Sequence, residues 1–240
     1  MHALTSTQKI STQKTYLYLP RIAFGLLIFT GIVGAASASD ESLCQSGAPN
    51  LLNNGSFEQS TNADYQNAFD MISALGRTNS GVKFLDAHPQ DDFPGWFSTG
   101  GIALQQGGFS EGGTIEVGQS GFLGVDAYHG QVFVEMDGNH HKQKIESLQK
   151  HTFDWELAHS GREGVDTLVV AIEYDGEKIE LAQLSSDEKA WKVHRGDFSV
   201  PEDTKAFTFV ITPIEASNGD IDSSNLLDDV KVCYQVNSGK

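Results

Sequence analysis

The 240 residues carry 32 Asp and Glu against 16 Lys and Arg, a formal charge of −16. Such acidity counts against nucleic acid as a partner, because a phosphate backbone would be repelled and no basic stripe offers a docking face. An anionic membrane surface is disfavoured on the same ground, whereas solubility in a salty or extracellular medium and divalent-cation binding are both compatible with it.

The first 38 residues read as an export signal. Lys9, Lys14 and Arg21 precede an apolar run over 22–33, and Ala36-Ser37-Ala38 offers the small residues of a cleavage site. The long basic region leaves an uncleaved membrane anchor as the alternative. Cleavage near Ser39 leaves about 200 residues, enough for one domain with its own core. It removes three basic residues and no acidic one, which takes the charge from −16 to −19. The expected product is a single domain over 39–240, secreted or periplasmic, with no membrane insertion once the signal is removed.

Beyond the signal, Leu51-Leu52 reads as a short strand ending in the turn signal Asn54-Gly55. The stretch 60–93 changes pattern: Tyr65, Phe69, Ile72 and Leu75 recur at helical spacing, Asn62 can cap the start and Gly76 the end. One short helix in a long insertion is expected there. From Pro94 onward strands are expected over 95–98, 102–106, 114–117, 131–136, 142–148, 152–158, 167–174, 178–184, 192–200, 206–212 and 225–234, each bounded by Gly, Asn or Asp. Alternation is clear in Val132-Phe133-Val134-Glu135-Met136, and Asp175-Gly176 is a two-residue hairpin signal. Many short strands with one helix predict an all-β sandwich, a jelly roll. Cys44 and Cys233 are the two cysteines of the chain. In an oxidising compartment they predict a disulfide that closes nearly the whole mature chain, for which the chain-entropy model gives on the order of 5 kcal/mol. Such a bond requires the first and last strands to lie side by side.

Asn50-Leu51-Leu52-Asn53-Asn54-Gly55-Ser56-Phe57-Glu58, Pro94-Gly95-Trp96, the stretch from Gly130 through Glu135-Met136-Asp137, Asp166-Thr167-Leu168-Val169-Val170 and Leu227-Asp228-Asp229-Val230 follow one another in this order. In that arrangement the chain resembles galactose-binding-like jelly rolls, the carbohydrate-binding modules of secreted polysaccharide-degrading enzymes and their stand-alone relatives. The resemblance implies a non-catalytic module that binds polysaccharide or another glycan. It also implies a structural calcium ion between the Asn-Gly-Ser-Phe-Glu turn and the last strand, with Glu58 and Asp228 as carboxylate donors and backbone carbonyls near Gly55 completing the shell. Asp229 is the alternative donor, since neighbouring strand residues point to opposite faces. Where many relatives carry an aromatic after Ile-Glu-Val, this chain has Gly118 after Ile115-Glu116-Val117.

Sugar binding needs an exposed aromatic and a few polar groups that read hydroxyls. Trp96, Phe109, Phe122, Tyr128, Trp155 and Trp191 are the aromatic candidates; Trp155 and Trp191, in alternating strands, are expected to pack inward. The predicted site comprises Tyr128, Glu116, Trp96 and Arg162, the last able to contact a uronate or diol bidentately. The adjacent His140 and His141 would face opposite sides of a strand and are expected in a surface turn. None of the signatures His-Glu-x-x-His, Gly-x-Ser-x-Gly or a phosphate-binding glycine loop occurs. The segment from Asp220 to Lys231 opens like a calcium loop, but Asn225 and Lys231 replace its Gly and Glu, so it is no EF-hand. Two rival readings use the same frame: a structural or adhesive protein of envelope or matrix, and a polysaccharide lyase or hydrolase.

Overall fold

A computed structural model describes residues 44, 48–61, 85–100, 113–122, 124–146 and 148–235, all within one compact unit, Asp40–Lys240. The export signal, the expected helix over 62–76, the expected strand over 102–106 and Phe109 lie outside the described residues.

The strands are β1 (Leu85–Pro89), β2 (Phe97–Thr99), β3 (Thr114–Gln119), β4 (Val132–Glu135), β5 (His140–Glu146), β6 (Thr152–Ser160), β7 (Asp166–Tyr174), β8 (Glu177–Ser186), β9 (Lys192–Ser199), β10 (Ala206–Glu215) and β11 (Leu226–Tyr234). They form two antiparallel sheets, β1-β3-β4-β11-β6-β9 and β2-β5-β10-β7-β8. Alternation decides which face each strand buries. In β10, Phe207, Phe209 and Ile211 enter the core, where they meet Trp155, Leu157, Val134 and Val232 of the other sheet. This is the jelly-roll sandwich that the strand count predicts. β7 and β8 are joined at Asp175-Gly176, both with positive φ (50° and 81°), as a type I′ hairpin requires.

Three local expectations are corrected. β1, paired with β3 from Leu85↔Gly118 to Pro89↔Thr114, lies in the segment read as a helical insertion. Leu51-Leu52 forms turns instead of a strand, because the side chain of Asn50 imitates a backbone ladder. Its Oδ1 accepts from the N–H groups of Leu52 (3.1 Å) and Val232 (3.0 Å), and its Nδ2 donates to Val230 O (2.9 Å). Lastly, His140 and His141 open β5 and do not sit in a surface turn. His141 is fully buried, and its burial pushes the imidazole down to about 4; His140 faces outward with Nδ1 2.8 Å from Thr212 Oγ1.

The two ends of the domain meet as expected. Leu51 N–H donates to Val232 O at 2.7 Å, and Cys44 and Cys233 form a disulfide with Cα atoms 5.7 Å apart.

Candidate functional site

β3, β4 and β11 bring an unusual set of side chains to the outer face of the six-stranded sheet. Glu116 and Leu226 both pair with Glu135, and Gly118 pairs with Phe133. Cross-strand partners share a face, so this face carries Glu116, Phe133, Glu135, Leu226 and, two residues on, Asp228. All four residues of β4 are buried. The core covers one side of the strand and the loop 120–131 folds over the other, where Val125 packs with Phe133 and Leu226, and Phe122, Ala127 and Trp191 surround them.

Trp191, directly before β9, is therefore not in the sandwich core as alternation predicts; it lies half-buried on the outer face. Its Nε1 donates to Asp126 O at 2.7 Å, and its ring stands edge-on to Phe133 (centroids 6.0 Å apart) and to Tyr128 (6.3 Å). Tyr128 is 45% exposed, so the pair presents an aromatic surface to solvent. Gly118 makes room for it: a Cβ there would lie 2.5 Å from Phe133 Cε2. Phe133, fully buried, fills the space that a side chain at Gly118 would take.

The polar members sit on the same face. Glu135 is fully buried and accepts from Arg162 Nη1. Burial pushes its carboxyl up to about 8, opposed by Arg162 and reinforced by Glu116 and Asp137. Arg162 belongs to the β6–β7 loop, held there because its backbone N–H donates to Asp166 Oδ2 at 2.9 Å. Its guanidinium is committed to Glu135 and its side chain is 15% exposed, so the open bidentate fork expected of it is not presented to solvent. Glu116 is half-buried, across the strand from Glu135.

Tyr128, Glu116 and Arg162 therefore share one face. Trp96 does not join them. It is 2% exposed, donates from Nε1 to Asn54 O at 2.9 Å and packs tilted against Phe57, ring centroids 4.9 Å apart; its indole locks the Asn54-Gly55 turn onto the core and cannot reach a ligand. Trp155 is in the core as expected. Sequence reasoning did not single out Glu135, although a carboxylate in a strand with apolar residues at both alternating positions was a visible signal.

The proposed calcium donors also meet this face. Glu58 Oε1 accepts from Gln131 N–H (2.7 Å) and Val132 N–H (3.0 Å), and Asp228 accepts from His129 N–H (2.8 Å) and Asp229 N–H (2.6 Å). Both carboxylates thereby clamp the C-terminal half of the Tyr128 loop. Burial raises both pKa values; that of Asp228, fully buried, reaches about 8, with Asp229 and Glu58 adding repulsion. Two desolvated carboxylates whose described hydrogen bonds all come from backbone N–H groups fit a hard cation, which would supply the missing positive charge. Gly55 O accepts from Val230 N–H at 2.9 Å and so ties the turn to β11. Asp229, the alternative donor, is held by Lys231 Nζ at 2.7 Å. Its φ of 47° and the register shift between Asp228 and Lys231 in the pairing with β6 mark a bulge; the other edge of β11 pairs with β4 at Leu226 and Leu227 and with the Asn50 side chain at Val230 and Val232.

No protein-family model and no curated protein sequence matches the chain. Carbohydrate-binding modules are among the solved structures it resembles. One is a xylan-binding domain of family 22 from Paenibacillus barcinonensis (12% identity, 65% of this chain and 98% of that one, TM-score 0.41). Another is a family 61 module in complex with β-1,4-galactotriose (10% identity, 78% and 99%, TM-score 0.35). A third, described as a family 4 module, has 13% identity over 76% and 98%, with a TM-score of 0.37. The assignment of the sandwich rests on the strand order given above.

Proposed function

We propose that the protein is a secreted, non-catalytic module that binds polysaccharide on the outer face of its six-stranded sheet, with a structural calcium ion at Glu58 and Asp228. The observation that carries this reading is the exposed ring of Tyr128 standing edge-on to Trp191. It lies on the face that also carries Glu116 and the Glu135–Arg162 pair. An aromatic surface suits the apolar face of a pyranose, and the half-buried Glu116 carboxylate on the same face suits its hydroxyls. Loops on a rigid sandwich are where such contacts usually lie. The disulfide accords with an oxidising compartment.

The ion would neutralise Glu58 and Asp228 and stiffen the loop that presents Tyr128. No step of bond making or breaking is assigned to any residue.

Binding to a polysaccharide panel that includes xylan and β-1,4-galactan tests the reading. Tyr128→Ala and Trp191→Ala are expected to weaken retention about tenfold, worth about 1.4 kcal/mol, while the denaturation midpoint of Tyr128→Ala stays near that of the wild type. If the wild type retains no polysaccharide, the structural or adhesive role takes its place; release of reducing ends would make the protein an enzyme. Chelation is expected to lower the melting temperature, as loss of a ligand that binds only the folded state must, and Glu58→Ala to abolish that dependence. A melting curve indifferent to chelator and to added calcium would remove the ion.

A further inference from the structure

β8 is the outermost strand of the five-stranded sheet and pairs with β7 alone, from Tyr174↔Glu177 to Asp166↔Ser186. Its first four residues, Glu177, Lys178, Ile179 and Glu180, are exposed, and Ile179 is 39% exposed although its partner Ile172 lies in the core. In a two-residue hairpin the closing residues exchange both backbone bonds, and bonded pairs then alternate along the ladder. Tyr174↔Glu177 and Ile172↔Ile179 are therefore bonded pairs, whereas the N–H and C=O groups of Lys178 and Glu180 point to the open edge. No backbone bond among the described residues takes those groups up. The side chains of Lys178 and Glu180 stand on the outer face of the sheet, across from Glu173 and Ala171, and that of Ile179 stands on the core face. Beyond Glu180 a register shift leaves Leu181 as an extra residue, so the regular part of this edge runs over 177–180.

An edge with open backbone groups is a template for another strand, and its charged side chains decide which strand it accepts. A strand that sets an acid opposite Glu180 or a lysine opposite Lys178 is repelled, because like charges directly across a ladder oppose pairing. A second copy of β8, antiparallel about a two-fold axis, escapes this in one register. For outward-pointing groups to meet outward-pointing groups, the axis must pass through a residue and not between two. An axis at Glu177, Lys178 or Glu180 sets that charge against itself. An axis at Ile179 sets Lys178 opposite Glu180 on both sides of it and Ile179 opposite its own copy. We propose that the protein forms a two-fold dimer through β8 in this register, which joins two five-stranded sheets edge to edge. The interface is self-complementary, as a two-fold contact requires: two reciprocal Lys178–Glu180 pairs on the outer face, and an Ile179 pair that extends the core face across the junction. The dimer does not depend on glycan binding; with the polysaccharide reading it presents two glycan faces at once, which raises retention on a polymer without any new contact.

Sedimentation velocity of the purified protein at concentrations up to about 1 mM tests the proposal. Wild type is expected to show a monomer–dimer equilibrium. Lys178→Glu and Glu180→Lys each place like charges on both sides of the axis, and each is expected to weaken the dimer about tenfold. The double variant, Lys178→Glu with Glu180→Lys, restores opposite charges in the same register and is expected to recover the wild-type dissociation constant. Both side chains are exposed, so the melting temperatures of monomeric single variants should stay near that of the wild type, which separates a lost interface from a lost fold. A wild type that remains monomeric, a dimer that both single variants leave intact, or one that the double exchange fails to recover overturns the inference.

Discussion

Acidification should destabilise the domain through His159, and the size of the effect follows from its surroundings. His159 is fully buried, with Nε2 2.9 Å from Asn225 Oδ1 and Nδ1 without a hydrogen-bond partner. Burial is the main cause that pushes its imidazole down from 6.5 to about 4, with His194 and Lys192 adding repulsion; Asn225 and Asp166 oppose the shift. The folded state therefore keeps His159 neutral in a range where the unfolded chain binds a proton. Its contribution is complete above pH 6.5 and is lost as pH falls towards 4. A fall from 6.5 to about 4, at about 1.4 kcal/mol for each tenfold change in proton affinity, is worth roughly 3 to 4 kcal/mol once complete, most of it above pH 4.5. His159→Gln keeps a donor for Asn225 and removes the titration. Urea denaturation from pH 7.5 to 4.5 at constant ionic strength should show wild type losing roughly 3 kcal/mol more than the variant. His141, also pushed down to about 4 by burial, titrates in both proteins and cancels in the difference. Equal losses in the two proteins would refute the assignment of a buried neutral His159.

Two further outcomes are expected. Reduction of the disulfide, or Cys44→Ser with Cys233→Ser, opens a loop with a sequence separation of 189. It should lower stability by on the order of 5 kcal/mol in the chain-entropy model, measured by denaturation with and without reductant; coincident curves would refute it. Asp166→Asn should cost about 3 kcal/mol. The carboxylate, 1% exposed, accepts from the backbone N–H groups of Arg162, Ser217 and Asn225 at 2.8–3.0 Å, and an amide cannot accept at both ends. A chemical denaturation midpoint unchanged by the substitution would show that those loops do not need it.

Alternation and turn chemistry determined the strands from β3 to β11, because an apolar face at every second residue has one way to be buried. Asp175-Gly176 determined its hairpin because two successive positive φ values favour those residues. The cysteine pair likewise required the ends of the domain to meet. Tertiary structure decided what lies outside the sheet. Trp191 obeys the pattern of an inward residue, but the loop 120–131 gives it an apolar surface on the far side, a long-range contact that periodicity does not encode. Glu135 is buried for the same reason, since β4 is covered on both faces. Trp96 was drawn inward by a hydrogen bond to Asn54, 42 positions away in the chain. The Asn50 side chain took the place of a strand because β4 pairs with β11 only at Leu226 and Leu227, leaving the backbone groups of Val230 and Val232 to be met by an amide. The paired carboxylates Glu58 and Asp228 acquired their raised pKa values only when folding removed both from water.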